Sequence, residues 1–166
     1  MPELEGKVAI VTGAGRLRGI GRAAAVRLSE LGADIVVTGT GRKPENYPED
    51  EKAIGWKDIE STAEQIRSKG RRAISVIVDI TDSSAVQNLI AQTIKEFGRV
   101  DILVNNAAFA RGEDRVPITD VEPSTFQRVV DIKVTGTFLV TQAFVRALKD
   151  PQGAKIVNIA STAGKS

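Results

Sequence analysis

With 166 residues, of which 42% are hydrophobic and 27% charged, and a formal net charge of +2, the chain has the composition of one ordinary globular domain. The charges are mixed, no apolar run could span a bilayer, and the start MPELEG is not a signal peptide, so we expect a cytoplasmic protein without a nucleic-acid or membrane surface. The chain contains 0 Cys and 0 His, which excludes disulfides, thiol catalysis, a Ser–His–Asp triad and the usual zinc sites, and no metal site is predicted.

The first predicted elements are a buried strand at Lys7–Val11 and an amphipathic helix at Ile20–Leu31, joined by the glycine-rich run Thr12–Gly21. Strand, glycine-rich turn and helix is the layout that holds a dinucleotide pyrophosphate. The N-terminus of such a helix offers free N–H groups and a partial positive charge to the anion.

Three glycines of this run have distinct expected uses. Gly13 and Gly19 suit the surface that a phosphate approaches, because a residue without Cβ leaves room for it. Gly21 would let the helix pack close to the preceding strand.

Strands and helices alternate along the rest of the chain. The further predicted elements are strands at Asp34–Thr38, Ala73–Val78, Asp101–Val104 and Lys155–Ile159, helices at Asp58–Lys69, Ser83–Phe97 and Pro123 to about Leu148, and irregular connections at Gly39–Lys57 and Phe109–Glu122. This alternation predicts an α/β fold with a doubly wound parallel sheet in the order 3-2-1-4-5, formed by a single Rossmann-type domain over residues 1–166. A ligand is expected where the order reverses, at the carboxyl ends of the first and fourth strands, beside Thr12–Gly21 and Asn105–Ala108.

The connection Gly39–Lys57 is long and rich in charge, and it contains the only Tyr and the only Trp, Tyr47 and Trp56. We favour a solvated excursion over a flap beside the adenosine end of a cofactor. An exposed Trp, however, would need a partner surface.

Together these motifs resemble those of the short-chain dehydrogenase/reductase family. Its glycine motif is similar to Thr12–Gly21, its NNA motif to Asn105–Ala107, and its catalytic serine to Ser161 in IVNIAS. The resemblance implies NAD(P)(H), hydride transfer to or from a small carbonyl or alcohol substrate, and a homo-oligomer packed through the long helix. The cofactor-binding residues that it implies are Thr12, Gly13, Gly19, Ile20, Gly21, Asp79, Ile80, Asn105 and Ala107.

Some of these residues have alternative structural uses. Asp79 could cap the next helix, a position for which Thr81, Asp82 and Ser83 compete, and Asn105 could tie the fourth strand to its neighbours. On the long helix, four apolar residues could serve the core or an interface, and the core is favoured: Val129, Ile132, Val140 and Phe144.

The chain departs from the family pattern at two catalytic positions. Lys133, in DIKVTGTF, stands where the family has a catalytic asparagine. We favour a partial substitution of the asparagine in the proton relay; the alternatives are an altered site and an ordinary surface lysine. The family's Tyr-x-x-x-Lys pair is missing, and Tyr47 cannot replace it because Glu51 stands in the lysine position. The resemblance therefore implies a C-terminally truncated cofactor-binding part, without the last strands of the family fold, that is inactive alone.

The expected cofactor is NADP(H) rather than NAD(H). An NAD site usually has an acidic residue at the end of the second strand, and the sequence has none near Gly39. Arg16, Arg18 and Arg42 could instead bind a 2′-phosphate, although they could also be ordinary surface charges.

Two other functions remain open at this point. The chain could be a non-catalytic nucleotide-binding or interaction module that pairs through an open edge of the strand Lys155–Ile159. A methyltransferase that uses S-adenosylmethionine shares the doubly wound sheet, but the NNA and IVNIAS segments argue against it.

Overall fold

Short runs rich in Val and Ile form one parallel sheet in the computed structural model, which describes residues 3–109 and 114–161. The strands are β1 Val8–Val11, β2 Asp34–Gly39, β3 Ala73–Ile77, β4 Ile102–Asn105 and β5 Lys155–Asn158. Every pairing is parallel and the order is β3-β2-β1-β4-β5, which confirms the predicted fold class and strand order. The central strand β1 is buried on both faces, as expected for a continuous apolar run in a parallel sheet.

The helices cover both faces of this sheet. In the described residues they are α1 Ile20–Glu30, α2 Glu49–Ala53, α3 Ile59–Ser68, α4 Ser83–Phe97, α5 Pro123–Val130 and α6 Thr137–Ala147, with short 3-10 turns at Pro44–Asn46 and Ile118–Asp120. None of these helices is both long and apolar enough to cross a membrane.

Two hydrophobic cores result from the alternation of side chains along the strands. Val11 and Val37 point to the face covered by α1 and α3, where Ile66 is fully buried. Ile10 points to the opposite face, covered by α4 and α6, where Phe144 is fully buried. The core assignment of Val140 and Phe144 is therefore confirmed, while Val129 and Ile132 are half-buried.

The predicted long helix is not one regular α-helix. A π-helical segment, Asp131–Gly136, joins α5 to α6. A Cβ built on Gly136 would lie 2.6 Å from Cγ1 of Ile80, three residues beyond the end of β3, so only glycine allows this approach. The π-helical segment therefore lies at the carboxyl edge of the sheet.

Strand β5 lies at one edge of the sheet and is exposed along its length. Ile156 and Val157 keep 40% and 46% of their surface accessible.

The segment between β2 and α3, which we call the β2–α3 insertion (residues 40–58), is folded. It contains the first 3-10 turn and α2, and it packs on the glycine-rich turn through Trp56, whose Nε1 donates to the Gly15 carbonyl oxygen at 2.6 Å. Glu51, on α2, is only 2% exposed. Most of its residues are exposed, as expected for a solvated excursion, but buried polar groups also tie the segment to the domain.

Candidate functional site

The carboxyl ends of β1 and β4 are joined by side-chain hydrogen bonds. Thr12 Oγ1 donates to the Val104 carbonyl oxygen at 3.3 Å and accepts from the N–H groups of Asn106 and Ala107 at 3.0 and 3.1 Å. Asn106 Nδ2 in turn donates to the carbonyl oxygens of Thr12 and Gly13 at 3.0 and 2.9 Å. These hydrogen bonds form a junction between the two strand ends at the point where the strand order reverses, which is where the sequence predicts a ligand.

Thr12 was predicted to bind the cofactor, but it is only 1% exposed, and its hydroxyl group is used in these hydrogen bonds. Its side chain therefore stabilises the glycine-rich turn and is not available to a ligand. Asn106, by contrast, appeared in the sequence analysis only as part of the NNA motif. The signal for its role is an amide side chain placed directly after a buried strand, where backbone groups at the sheet edge need partners.

The glycines of the turn are required by close approaches. Gly13 has φ +68°, and a Cβ on it would lie 2.8 Å from Cα of Ala107. A Cβ on Gly21 would lie 2.7 Å from the Gly13 carbonyl oxygen. Gly21 therefore lets α1 pack closely on the turn that follows β1, and Ala107 lies against the same turn.

The start of α1 faces solvent. Gly19 occupies the N-cap position and supplies no side-chain cap, and no acidic residue lies in the first turn. Ile20 is 63% exposed there. The N–H groups of this turn therefore remain available to an anion, and they carry the partial positive charge of the helix N-terminus.

The β2–α3 insertion and α3 bind backbone groups of the glycine-rich turn from the other side. The Gly15 carbonyl oxygen accepts from Trp56 Nε1 and, at 3.0 Å, from Arg42 Nη2. Glu51 Oε1 accepts from the Leu17 N–H at 2.9 Å, and Thr62, on α3, donates to the Ala14 carbonyl oxygen at 2.8 Å. Sequence reasoning missed these contacts, apart from noting that Trp56 needs a partner surface.

The sequence analysis expected Arg42 to bind a 2′-phosphate. In the structure, however, its guanidinium group is already paired with two carboxylates. Its Nη1 donates to Glu51 at 2.9 Å, and its Nε and Nη2 donate to Asp58 Oδ1 at 3.0 and 2.8 Å. The guanidinium also lies over the Tyr47 ring, 5.0 Å from its centroid. Burial lowers the pKa of Arg42, but the hydrogen bonds to the two carboxylates outweigh it, so the pKa is raised and Arg42 stays charged.

An acidic residue does lie beside the end of β2, although the sequence shows none near it. The Asp58 carboxylate lies against Gly15, where a Cβ would overlap its Oδ1, and a Cβ on Gly39 would lie 3.9 Å from its Oδ2. Asp58 reaches this place from the far end of the insertion, with φ +53°.

The two other candidate arginines lie on the outside of the turn. Arg16 is exposed, and its carbonyl oxygen accepts from the Gly19 N–H at 3.0 Å. Arg18 is 82% exposed, with its Nε 3.0 Å from Asp50 Oδ2 on α2. Both side chains can therefore move to a ligand at the turn at little cost.

Asp79 does not cap α4; Asp82 does, by accepting from the N–H groups of Ser84 and Ala85. Asp79 instead accepts from Thr81 and pairs with Arg128 at 2.8 Å. Burial raises the pKa of Asp79, but the hydrogen bonds from Arg128 and Thr81 outweigh it and lower the pKa to about 2.

The side chain of Ile80 is 6% exposed and packs against Gly136 in the core. Only the backbone of Ile80 can therefore take the cofactor-binding role that was predicted for it.

Asn105 joins three elements. Its Nδ2 donates to Thr141 Oγ1 on α6 at 3.0 Å and to Asn158 Oδ1 on β5 at 2.9 Å. Both amide hydrogens are therefore used within the protein, which is the structural role considered as its alternative. Its place among the cofactor ligands is not supported by a free donor.

The predicted catalytic residues lie at the carboxyl edge of the sheet. Ser161 is exposed and follows β5, whose Asn158 is in register with Asn105 on β4. Lys133 is exposed on the π-helical segment.

The sequence of this chain is similar to a known protein family and to individual members of it. The model of the family described as short chain dehydrogenase matches residues 7–166. A cyclohexanol dehydrogenase of Rhodococcus sp. (strain TK6) is 36% identical, over 97% of this chain and 58% of that protein. A 2-dehydro-3-deoxy-D-gluconate 5-dehydrogenase of Dickeya dadantii (strain 3937) is 33% identical, over 95% of this chain and 54% of that protein.

Among solved structures, the crystal structure of a short chain dehydrogenase from Mycobacterium paratuberculosis bound to NAD superimposes with a TM-score of 0.82 and 32% identity. The match covers 98% of this chain and 58% of that one. The chain thus spans little more than half the length of the relatives that it matches.

Proposed function

The chain belongs to the short-chain dehydrogenase family, and we propose from that membership that it is the nucleotide-binding part of an NAD(P)(H)-dependent oxidoreductase acting on an alcohol or a carbonyl group. The observation that carries the proposal is the hydrogen-bonded junction between the carboxyl ends of β1 and β4. There the carbonyl oxygens of four consecutive turn residues, Thr12–Gly15, accept hydrogen bonds from protein side chains. The turn therefore leaves the positive end of α1 to face an anion.

The residues present fit a dinucleotide. The first-turn N–H groups of α1 would hold the pyrophosphate, and the exposed Ile20 and the backbone of Ala107 would line the site. Asp79 and the backbone of Ile80, which follow β3, are proposed for the adenine end. When bound, the nicotinamide supplies or accepts the hydride.

We assign catalytic roles to two residues of the chain. Ser161 would donate a hydrogen bond to the substrate carbonyl oxygen and stabilise the negative charge that develops there. Lys133 would take the place of the family asparagine in the proton relay. The Tyr-x-x-x-Lys pattern does not occur in the 166 residues, so we expect no carbonyl reduction from these residues alone.

The substrate is proposed only as a small alcohol or carbonyl compound. The two relatives are named for a cyclic alcohol and a sugar acid. What these two dehydrogenases share is a change of oxidation state at one carbon of the substrate.

The preference for NADP over NAD that the sequence favours is not retained in this proposal. Its two grounds were three arginines able to bind a 2′-phosphate, Arg16, Arg18 and Arg42, and the absence of an acidic residue at the end of β2. In the structure Arg42 is held by Glu51 and Asp58, and Asp58 lies beside Gly39. A solved relative is a complex with NAD, which also favours keeping both nucleotides in consideration.

We also propose a homo-oligomer that packs through α5, the π-helical segment and α6. Three large apolar side chains along this stretch, Phe126, Val134 and Phe138, are each more than half exposed. Light scattering on the full-length protein that carries this sequence tests the proposal, and a monomer at micromolar concentration would contradict it.

The experiment that tests the enzymatic function uses the same full-length protein. Titration calorimetry with NAD⁺ and NADP⁺ measures binding, and absorbance of the reduced nicotinamide measures hydride transfer with a panel of alcohols and ketones. We expect binding of at least one nucleotide and turnover of at least one substrate. Binding without turnover would favour the alternative of a non-catalytic nucleotide-binding module, and no binding of either nucleotide would refute the proposal.

A further inference from the structure

The β2–α3 insertion places an unusual charge cluster beside the glycine-rich turn. Arg42 is ion-paired with Glu51 and Asp58, at 2.9 and 2.8 Å, so the cluster has one positive and two negative charges and a net charge of −1. The side chains of the two acids are 2% and 7% exposed, and that of Arg42 is 18% exposed. Because these side chains are largely shielded from solvent, their charges are weakly screened.

The location of the cluster matters for the nucleotide. In doubly wound nucleotide-binding folds, the group that meets the adenosine ribose lies at the end of the second strand, where an acidic residue bonds a 2′-hydroxyl and an arginine accommodates a 2′-phosphate. Here Asp58 lies against both Gly15 of the turn and Gly39 at the end of β2. The insertion therefore places a carboxylate beside the end of β2, although the sequence has no acidic residue next to Gly39.

The backbone conformation of Asp58 indicates that the surrounding contacts hold its carboxylate in this position. Asp58 is the non-glycine residue with positive φ in the described residues, at φ +53° and ψ −132°. Such a conformation is strained for a residue with a Cβ, and it persists only where surrounding contacts impose it. Its carboxylate accepts from the Arg42 backbone N–H as well as from the guanidinium, which makes the contact two-sided.

We propose that Glu51 and Asp58 are specificity-determining residues that disfavour the 2′-phosphate of NADP. They hold the Arg42 guanidinium against the Gly15 carbonyl group, so that it is not offered to a ligand, and their charge opposes that of the phosphate dianion. The inference rests on the proposed function, and it implies that the intact protein binds NAD more tightly than NADP.

The test compares the ratio of NADP⁺ to NAD⁺ affinity across a charge series in the full-length protein. Glu51→Gln and Asp58→Asn each remove one negative charge at nearly constant shape, and asparagine tolerates positive φ. We expect each substitution to raise the ratio about fivefold to tenfold, and the double variant to raise it further. Calorimetry with the two oxidised nucleotides provides both affinities.

The matched control is Glu49→Gln, which removes the same charge from α2 at a side chain that is 90% exposed. Solvent screens that position, so the affinity ratio should change less than about twofold. A fold change of the same size in all three single variants would show a general charge effect and overturn the proposal.

Retained folding is checked by the cooperative thermal transition and the fluorescence of Trp56. If one of the two single variants does not fold, the affinity ratio of the other is still compared with that of the unmodified protein. The unmodified protein decides independently of both, because tighter binding of NADP⁺ than of NAD⁺ would overturn the proposal. Failure of the proposed function is a different outcome, since neither nucleotide would then bind.

Discussion

Asn106 closes the glycine-rich turn from the β4 side, with its Nδ2 2.9 Å from the carbonyl oxygen of Gly13. The same nitrogen donates to the Thr12 carbonyl oxygen, so a single amide joins the ends of two neighbouring strands. A Cβ on Gly21 would lie 2.5 Å from that nitrogen, so α1 must approach it without a side chain. Strand, turn and helix are thus held at one point, and we expect Asn106 to matter for both stability and nucleotide binding.

We therefore expect Asn106→Ala to lower the free energy of unfolding by about 2–3 kcal/mol, because two backbone carbonyl groups lose their donor. Nucleotide affinity should fall as well, since the turn loses its support. Urea unfolding followed by circular dichroism measures the first effect. Asn88→Ala, at an exposed position on α4, is the control and should change stability by less than about 0.5 kcal/mol. Equal losses in both variants would contradict the role of Asn106.

The contact between Gly15 and Asp58 leads to a second prediction. A Cβ on Gly15 would overlap Oδ1 of Asp58, so Gly15→Ala should displace the insertion and cost about 2–3 kcal/mol of stability. The fluorescence of Trp56 should shift to the red, because its indole N–H donates to the same residue.

A double-mutant cycle isolates this clash. In a protein that already carries Asp58→Ala, the carboxylate is gone, and Gly15→Ala should cost at least about 1 kcal/mol less than in the unmodified protein. Additive free energies would mean that the two residues do not meet in solution.

These two contacts also separate what sequence could predict from what it could not. The strands, their order and the point where the order reverses follow from apolar runs, alternation and glycine spacing, all of which are local signals. The path of the β2–α3 insertion depends instead on pairs such as Trp56 with Gly15, which are 41 residues apart. The periodicity of apolar residues gives no sign of a contact between residues so far apart in sequence. For that reason the sequence does not distinguish the buried Glu51 from the surface charges around it.

The π-helical segment is a second feature that sequence reasoning could not predict. The run DIKVTGTF has the spacing of a continuous helix, and the lysine at position 133 carries no local sign of a changed winding. The close approach of Gly136 to Ile80 is a tertiary contact, and only the structure reveals it.

The ion pair between Asp79 and Arg128 predicts a pH dependence of stability. The folded-state pKa of Asp79 is lowered to about 2, below the ordinary value of about 3.9 for the unfolded chain. The folded protein therefore binds the proton less readily than the unfolded chain. The stabilisation is present above about pH 5 and is lost as the pH falls through 4 towards 2.

The size of this effect is about 1 kcal/mol, less than the pKa shift alone implies, because both side chains are over 40% exposed and solvent screens the pair. Asp79→Asn should remove this part of the pH dependence, measured as the difference in unfolding free energy between pH 6 and pH 3. Asp120→Asn, an exposed carboxylate, should leave it unchanged. An identical pH dependence in Asp79→Asn and the unmodified protein would refute the assignment.

Ser161 follows β5 at the edge of the sheet where Asn105 and Asn158 are in register. If its hydroxyl donates to the substrate carbonyl oxygen, it acts on charge that develops in the transition state and contributes little to binding the nucleotide. In the full-length protein, Ser161→Ala should therefore lower kcat about 100-fold or more while the Kd for the nucleotide changes less than about twofold. Ser84→Ala, on the exposed face at the start of α4, should leave both quantities unchanged. A Ser161→Ala enzyme with full kcat would show that the oxygen is stabilised by another group, and a loss confined to nucleotide affinity would place Ser161 in the cofactor site instead.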